Sequence, residues 1–303
     1  MTTIAVCDRT PRQALLRLER NYRVLDLSGS ERAEVLRLLD DAECVVVRSR
    51  TRVDSEFMDH APRLKIVGRI GTGLDNIDVS QAAKRGIKVL STPKATARSV
   101  AEFTIALALD ALRGISVGDR AMRQGRWLKN ELLGRELYGK MFGIVGFGTV
   151  GSEVARIAYA LGAQVVCWSR SKPSPEPSYA KYMELDMLLR QSDIVSIHLR
   201  LNEETRNMIN SDRLRLLKKG CILVNTSRGE VLDEDALYSL LKERTVSSAA
   251  LDVFKSEPYQ GKLLELENVI LTPHIAGNTL EGQERAASEL VEQIERELPV
   301  QKS

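Results

Sequence analysis

The chain holds three histidines, His60, His198 and His274, the side chains best suited to moving a proton near neutral pH. His274 lies in LTPHIAG (271–277), directly after an apolar, strand-like run, where a loop can aim its ring into a cleft. His60 sits in the polar stretch MDHAPR and reads as exposed. His198 ends DIVSIH and either lines a nucleotide groove or finishes a buried strand. Two other reactive groups occupy the same kind of position as His274. Arg228 follows the run 222–225 in TSRG, and Glu257 follows 249–253 in FKSEP. A guanidinium grips a carboxylate through two parallel hydrogen bonds. A carboxylate beside an imidazole favours the imidazolium, which suits general acid/base work near neutrality. Taken one at a time, each of these residues also fits a surface ion pair. Together they describe a site that holds an acid substrate and exchanges a proton with it.

A second constellation lies upstream. MFGIVGFGTVGSEVARIAYALG contains Gly146, Phe147, Gly148, Thr149, Val150 and Gly151 in the pattern G-x-G-x-x-G. That pattern alone is weak, but here it follows an apolar run and opens a helix with an apolar face at Val150, Val154, Ile157, Ala158 and Leu161. Gly146 permits the tight turn, Gly148 lets backbone amides approach a pyrophosphate, and Gly151 lets the helix lie close to the strand. The helix start adds unpaired N–H groups and partial positive charge. The residues imply a dinucleotide. Its ribose is ordinarily held by a carboxylate about 20 residues further on. In VVCWSRSKP (165–173) that place is taken by Ser169, followed by Arg170 and Lys172. A hydroxyl and two cations make a site for a 2′-phosphate, which favours NADP(H) over NAD(H). The alternative is that Arg170 and Lys172 are solvated loop charges and NADH binds through other contacts.

These groups need elements to position them. Short β-branched runs at 4–7, 24–27, 44–47, 65–69 and 88–90 form one series of candidate strands. A second series lies at 142–145, 164–168, 194–198, 221–225, 249–253 and 269–272. Amphipathic stretches between them, such as 11–19, 31–39 and 150–161, predict an α/β fold with parallel sheets covered by helices. Breaks near STP (91–93) and Gly277 predict a discontinuous plan, with one domain from 1–94 plus 278–303 and another from 95–277. A chain of 303 residues is long enough for two cores. Basic and acidic residues nearly balance, 44 against 41, and are interspersed, so the one-sided field of a nucleic-acid or membrane-surface binder is missing. No apolar run reaches membrane-spanning length, and MTTIAVCDRT lacks the features of a secretion signal. Cys7, Cys44, Cys167 and Cys221 lie far apart in apolar runs, without zinc spacing or a disulfide framework. The expectation is a cytoplasmic protein with buried free thiols and no metal.

Five motifs in order carry a resemblance: GRIGTGLDNIDV (68–79), ELYGKMFGIVGFGTVG (136–151), NTSRGEVLDEDAL (225–237), AALDVFKSEP (249–258) and LTPHIAGNT (271–279). On these the chain resembles the D-isomer-specific 2-hydroxyacid dehydrogenase family over essentially its whole length. The resemblance implies a Rossmann coenzyme-binding domain inserted into a smaller flavodoxin-like substrate domain, usually as a homodimer. It implies NAD(P) as cofactor, His274 as acid/base, Glu257 as its partner, and Arg228 for the keto acid's carboxylate and carbonyl. Asp252 matches a position that contacts the nicotinamide carboxamide, and Thr104 and Thr226 match positions lining the cofactor groove. The substrate carboxylate is expected at the backbone amides of Gly71, Thr72 and Gly73 as well as at Arg228.

The chain also departs from the family pattern. Where the family often has H-x-P-L, this chain has His198-Leu199-Arg200-Leu201, which puts another positive charge near the expected adenosine pocket. The segments RSRT and RSVAEF most resemble the phosphoglycerate dehydrogenase branch, so Arg48, Ser49 and Arg50 are candidates for holding a second anionic group. The alternative for these arginines is plain solvation. The sequence carries no regulatory C-terminal extension of the kind some members of that branch have, so serine-feedback control is not expected. Hydroxypyruvate, glyoxylate and phosphoglycerate-like acids stay open as substrates. Two other readings stay open with them: a coenzyme-sensing corepressor-like binding protein and a phosphonate (phosphite) dehydrogenase-like enzyme.

Overall fold

The β-branched runs become strands, and all of them pair in parallel. A computed structural model describes residues 1–299. It divides into two compact units, Met1–Ala97 together with the segment from Asn278 onward, and Arg98–Gly277. The division falls a few residues beyond the expected 94/95 boundary, at the start of the helix Ala97–Arg113.

The first unit contains β1 (Thr3–Val6), β2 (Arg23–Asp26), β3 (Ala42–Val47), β4 (Ile66–Arg69) and β5 (Lys88–Ser91). They order as β2-β1-β3-β4-β5. That is the flavodoxin-like order, whose direction of winding reverses between β1 and β3. Side chains alternate across the sheet as a two-residue period demands. Ile4, Val6, Cys44, Val46 and Ile66 face one layer. Ala5, Cys7, Val45, Val47 and Val67 face the other, with Phe57 and Leu39. The first layer includes the helix Leu280–Glu297, whose buried stripe of Ala286, Ala287, Leu290, Val291 and Ile294 follows helical spacing. Burying Leu290 and Ile294 contributes roughly 1.5–3 kcal/mol each. Gly68 on β4 leaves room for this helix, since a Cβ there would stand 3.1 Å from Leu290.

The second unit holds β6 (Met141–Val145), β7 (Gln164–Trp168), β8 (Lys181–Tyr182), β9 (Ile194–Ile197), β10 (Cys221–Asn225), β11 (Val246–Leu251) and β12 (Val269–Leu271). Their order is β12-β11-β10-β9-β6-β7-β8, a doubly wound sheet that reverses between β6 and β9. Helices cover both faces, so the central strands are largely apolar runs and do not alternate regularly with polar residues. Two details differ from expectation. The two-residue β8 carries too little pattern to be seen in the sequence; it pairs with Val166 and Cys167. β11 begins at Val246 and ends at Leu251, where 249–253 was expected. Its polar start is explained by Ser247, whose hydroxyl donates to the carbonyls of Gly220 and Cys221. Asp252 therefore stands just past the strand, at the head of a loop.

No described helix is long and apolar enough to cross a membrane. The four cysteines are free and buried. Burial pushes the Cys7 and Cys221 thiols up to about 12 and that of Cys167 to about 11.

Candidate active site

The glycine turn stands where the second sheet reverses. β6 ends at Val145, and Gly146 follows with φ +100°, a conformation glycine adopts without strain. A Cβ there would also meet the His198 carbonyl oxygen at 2.5 Å, across the reversal. Gly151 is required by packing, because its Cβ would lie 2.0 Å from the Gly146 oxygen. Gly148 is different. Its φ is −90° and nothing stands within 4 Å of the place a Cβ would take. The protein's own atoms do not require glycine there, whereas a ligand backed onto the turn would. The helix Thr149–Ala160 starts at this residue with no side-chain cap and no acidic residue in its first turn. Thr149 is exposed, and Phe147 leans on Tyr179 at 6.5 Å. An open glycine, uncapped amides and a positive helix end fit the pyrophosphate of a dinucleotide.

The end of β7 lies beside this turn, since the Gly146 amide donates to the Trp168 carbonyl at 2.8 Å. Ser169 is next, and its hydroxyl donates to the Ser171 carbonyl at 2.7 Å. Arg170 donates to Glu204 at 3.0 Å, a partner 34 residues away that the local sequence does not announce. Lys172 lies 3.6 Å from Glu176 and over the Tyr182 ring. Arg200 is exposed and its guanidinium has no partner among the described residues; only its carbonyl is engaged, by Thr205. His198 points inward. Its Nε2 meets the Ser196 hydroxyl at 2.7 Å, its Nδ1 is buried, and desolvation pushes the ring down to about 3, so it stays neutral. Thr104 is fully buried, and its hydroxyl is 2.8 Å from both the Val100 carbonyl and the hydroxyl of the buried Thr226, so the observed partners of the Thr104 hydroxyl are protein groups.

Arg228, Glu257 and His274 arise from the ends of β10, β11 and β12, three neighbours on one sheet edge. His274 Nδ1 faces Glu257 Oε2 at 2.9 Å, and the other Glu257 oxygen accepts the Phe254 amide at 3.1 Å. The Nε2 of His274 has no protein partner among the described residues and is the atom left for chemistry. His274 sits at φ +54°, unusual for a residue with a side chain. Its amide donates to the Asp252 carbonyl at 2.9 Å. Arg228 is half-buried, and its Nη1 donates to the Ser227 carbonyl at 2.6 Å.

Two residues that hold these groups, Asn225 and Gly229, carry no site expectation from the sequence, whereas Asp252 does. Asn225, fully buried, accepts the amide and hydroxyl of Ser227 and donates to the Arg228 carbonyl, which fixes the turn carrying the guanidinium. An amide side chain ending an apolar run before T-S-R-G is the signal that could have found it. Gly229 wedges this turn against the next loop, where a Cβ would fall 1.9 Å from the Phe254 carbonyl carbon. Asp252 is buried with both oxygens engaged by the 272–276 loop, so its observed partners are protein groups and not an open groove.

The candidate substrate residues belong to the first unit. Asp8, 4% exposed, accepts the amides of Arg48 and Thr51, the Thr51 hydroxyl and Nε of Arg50, and so shapes the loop after β3 at that sheet's reversal. Arg50 also donates to the Cys7 carbonyl at 2.8 Å, so its guanidinium is already engaged. Ser49 is exposed, and the Arg48 side chain has no partner among the described residues. The Gly71 amide, expected to face a carboxylate, donates instead to the Thr92 hydroxyl at 2.8 Å. The expectation of an anion there passes to the amides of Thr72 and Gly73.

A doubly wound sheet with an open glycine turn, and an arginine and a glutamate–histidine pair along the same strand ends, defines a nicotinamide-dinucleotide oxidoreductase. Residues 105–276 match the model of the "D-isomer specific 2-hydroxyacid dehydrogenase, NAD binding domain". The chain belongs to that family. It is 42% identical over 274 residues to a hydroxypyruvate reductase of Thermotoga maritima, covering 89% of each chain. It is 41% identical to a D-3-phosphoglycerate dehydrogenase of Archaeoglobus fulgidus over 88% of this chain, and spans 51% of that protein's length. Among solved structures it superposes on the NADPH-dependent glyoxylate/hydroxypyruvate reductase of Sinorhizobium meliloti with a TM-score of 0.88 at 28% identity, covering 100% of this chain and 96% of the other. The chain is thus an NAD(P)-dependent oxidoreductase of 2-hydroxy acids.

Proposed function

We propose that the chain reduces short 2-keto acids of the hydroxypyruvate and glyoxylate kind with NADPH, yielding the D-2-hydroxy acid, and that the same residues run the reverse oxidation. The observation that carries this reading is the 2.9 Å contact between Glu257 and His274 Nδ1 on the strand-end edge that also bears the glycine turn. With Nδ1 held by the carboxylate, Nε2 gives the proton to the carbonyl oxygen and takes it back in oxidation. Arg228 receives the substrate carboxylate. The bound nicotinamide supplies or accepts the hydride. Within the first unit, the amides of Thr72 and Gly73 and the side chains of Arg48 and Ser49 stay candidates for holding a polar or anionic group.

The preference for NADP(H) rests on Ser169 standing where a carboxylate would repel a 2′-phosphate, with Arg170, Lys172 and Arg200 nearby in exposed loops. The Arg170–Glu204 and Lys172–Glu176 pairs are solvated, and such pairs are worth about 0–1 kcal/mol, so a phosphate dianion can displace them. The NADPH-dependent Sinorhizobium meliloti relative is in keeping with this. A homodimer is part of the same reading; exposed Ile115, Met122, Trp127, Leu133 and Tyr138 in the second unit offer apolar surface for it. Four unpaired cysteines accord with a reducing, cytoplasmic setting.

The test is initial-rate reduction of hydroxypyruvate, its phosphorylated form and glyoxylate, each with NADPH and with NADH. Higher kcat/KM with NADPH is expected, with turnover of at least one of the unphosphorylated acids. Coenzyme binding without turnover of any acid would replace this reading with that of a coenzyme-sensing binding protein.

A further inference from the structure

Asp252 has no exposed surface, and each of its side-chain partners belongs to the loop that carries His274. One oxygen accepts the Thr272 hydroxyl at 2.6 Å and the Ile275 amide at 2.9 Å. The other accepts the Ala276 amide at 2.8 Å. The Asp252 carbonyl accepts the His274 amide at 2.9 Å, so one residue holds the loop on both sides of the histidine and at it. We infer that Asp252 is a positioning residue for the proton-transfer step, holding His274 in its left-handed conformation through the 272–276 loop; this rests on the role of His274 proposed above. The family resemblance instead makes Asp252 a contact of the coenzyme's carboxamide. The two roles predict different losses.

The donor set explains why a carboxylate stands here. Backbone N–H groups only donate, and both oxygens face one. An asparagine in the same place would turn its NH2 towards the Ala276 amide in one orientation and towards the Ile275 amide in the other. Either way two donors oppose each other at under 3 Å, and one amide must move. Because His274 at φ +54° lies between Thr272 and Ile275, such a movement turns its ring away from Glu257. A reacting group misplaced by about 1 Å costs on the order of 100-fold in turnover.

The experiment compares wild type with Asp252→Asn, Thr272→Val and Thr272→Ser. The measurements are kcat and KM for the keto acid, NADPH affinity by fluorescence titration, and hydrogen exchange at the Ile275 and Ala276 amides without coenzyme. For Asp252→Asn, kcat should fall on the order of 100-fold. NADPH affinity should stay within about twofold, and exchange at one or both amides should quicken by more than about tenfold. Thr272→Val should lower kcat by about tenfold, and Thr272→Ser, which restores the hydroxyl, should recover most of it. If Asp252→Asn does not fold, the two Thr272 variants decide the matter by the same measurements. A loss seen mainly in NADPH affinity, or unchanged exchange and turnover in Thr272→Val, would overturn the inference. A wild type that turns over no keto acid would sink the proposed activity alone, since the exchange measurement tests the hold on the loop without it.

Discussion

Gly229 ties Arg228 to the Glu257–His274 pair, and replacing it by alanine tests that link. The added Cβ would stand 1.9 Å from the Phe254 carbonyl carbon, 2.3 Å from its oxygen and 2.3 Å from the Lys255 nitrogen. Ordinary contact begins near 3.4 Å, so one of the two loops must retreat by about 1.5 Å. All three obstructing atoms are backbone, and no side-chain rotation relieves them. On one side lies the Arg228 turn, braced by buried Asn225. On the other, the Phe254 amide holds Glu257 at 3.1 Å, and Glu257 holds His274 at 2.9 Å. A retreat of that size breaks the Phe254–Glu257 bond or moves Arg228 by a comparable distance. Overpacking of this kind costs ~1–3 kcal/mol of stability. Misplacing a reacting group by about 1 Å costs on the order of 100-fold in kcat. A denaturation midpoint, kcat with saturating coenzyme, and coenzyme affinity separate the effects. The expected result is a folded, modestly destabilised variant with kcat down by about two orders of magnitude and coenzyme affinity nearly unchanged. Wild-type kcat in Gly229→Ala would refute the view that the three loops form one interlocked unit.

Gly148→Ala and Gly146→Ala should part company. The first places a methyl in open space, so apo stability holds while NADPH affinity falls by about tenfold or more in a titration. The second forces φ +100° and a 2.5 Å contact on a residue with a side chain, and should lower the apo melting temperature by several degrees. His274→Ala should nearly abolish turnover and keep coenzyme binding; near-native turnover would remove the acid/base assignment. His198 sets a pH dependence of stability, because its ring is held at about 3 in the fold against 6.5 when free. The unfolded chain then binds the extra proton between those values, so this contribution is intact above pH 6.5 and drains away as pH falls towards 3. The slope is at most about 1.4 kcal/mol per pH unit, and urea titrations from pH 7 to 5 should show a flatter decline in His198→Gln.

What the sequence made legible is what a residue's own neighbours decide. A glycine that must take a positive φ, or lie under the start of a helix, shows itself within six residues, as Gly146 and Gly151 do. Strands buried on both faces show themselves as apolar runs, and the residues after them land on one edge; that is why Arg228, Glu257 and His274 could be read as a group. Interactions across sequence distance were hidden. Arg170 reads as an isolated cation until the fold places Glu204 3.0 Å away, and Arg50 reads as free until Asp8 and the Cys7 carbonyl engage it. Resemblance reads a residue by another route. It assigns Asp252 to the coenzyme by its place in a motif, whereas the hydrogen bonds join it to Thr272, Ile275 and Ala276. A motif records that a residue type recurs, but not which of its atoms are already engaged. The buried polar residues one position beyond or at the end of adjacent strands, Asn225 and Asp252, share a physical task that neither periodicity nor motif describes. Each uses a short side chain to satisfy the backbone groups that become unpaired where a parallel strand stops. The loop that follows is thereby made rigid enough to aim a guanidinium or an imidazole. On this argument the reactive residues can sit on loops and still be held, because the last buried polar side chain of each strand ties the loop to the sheet.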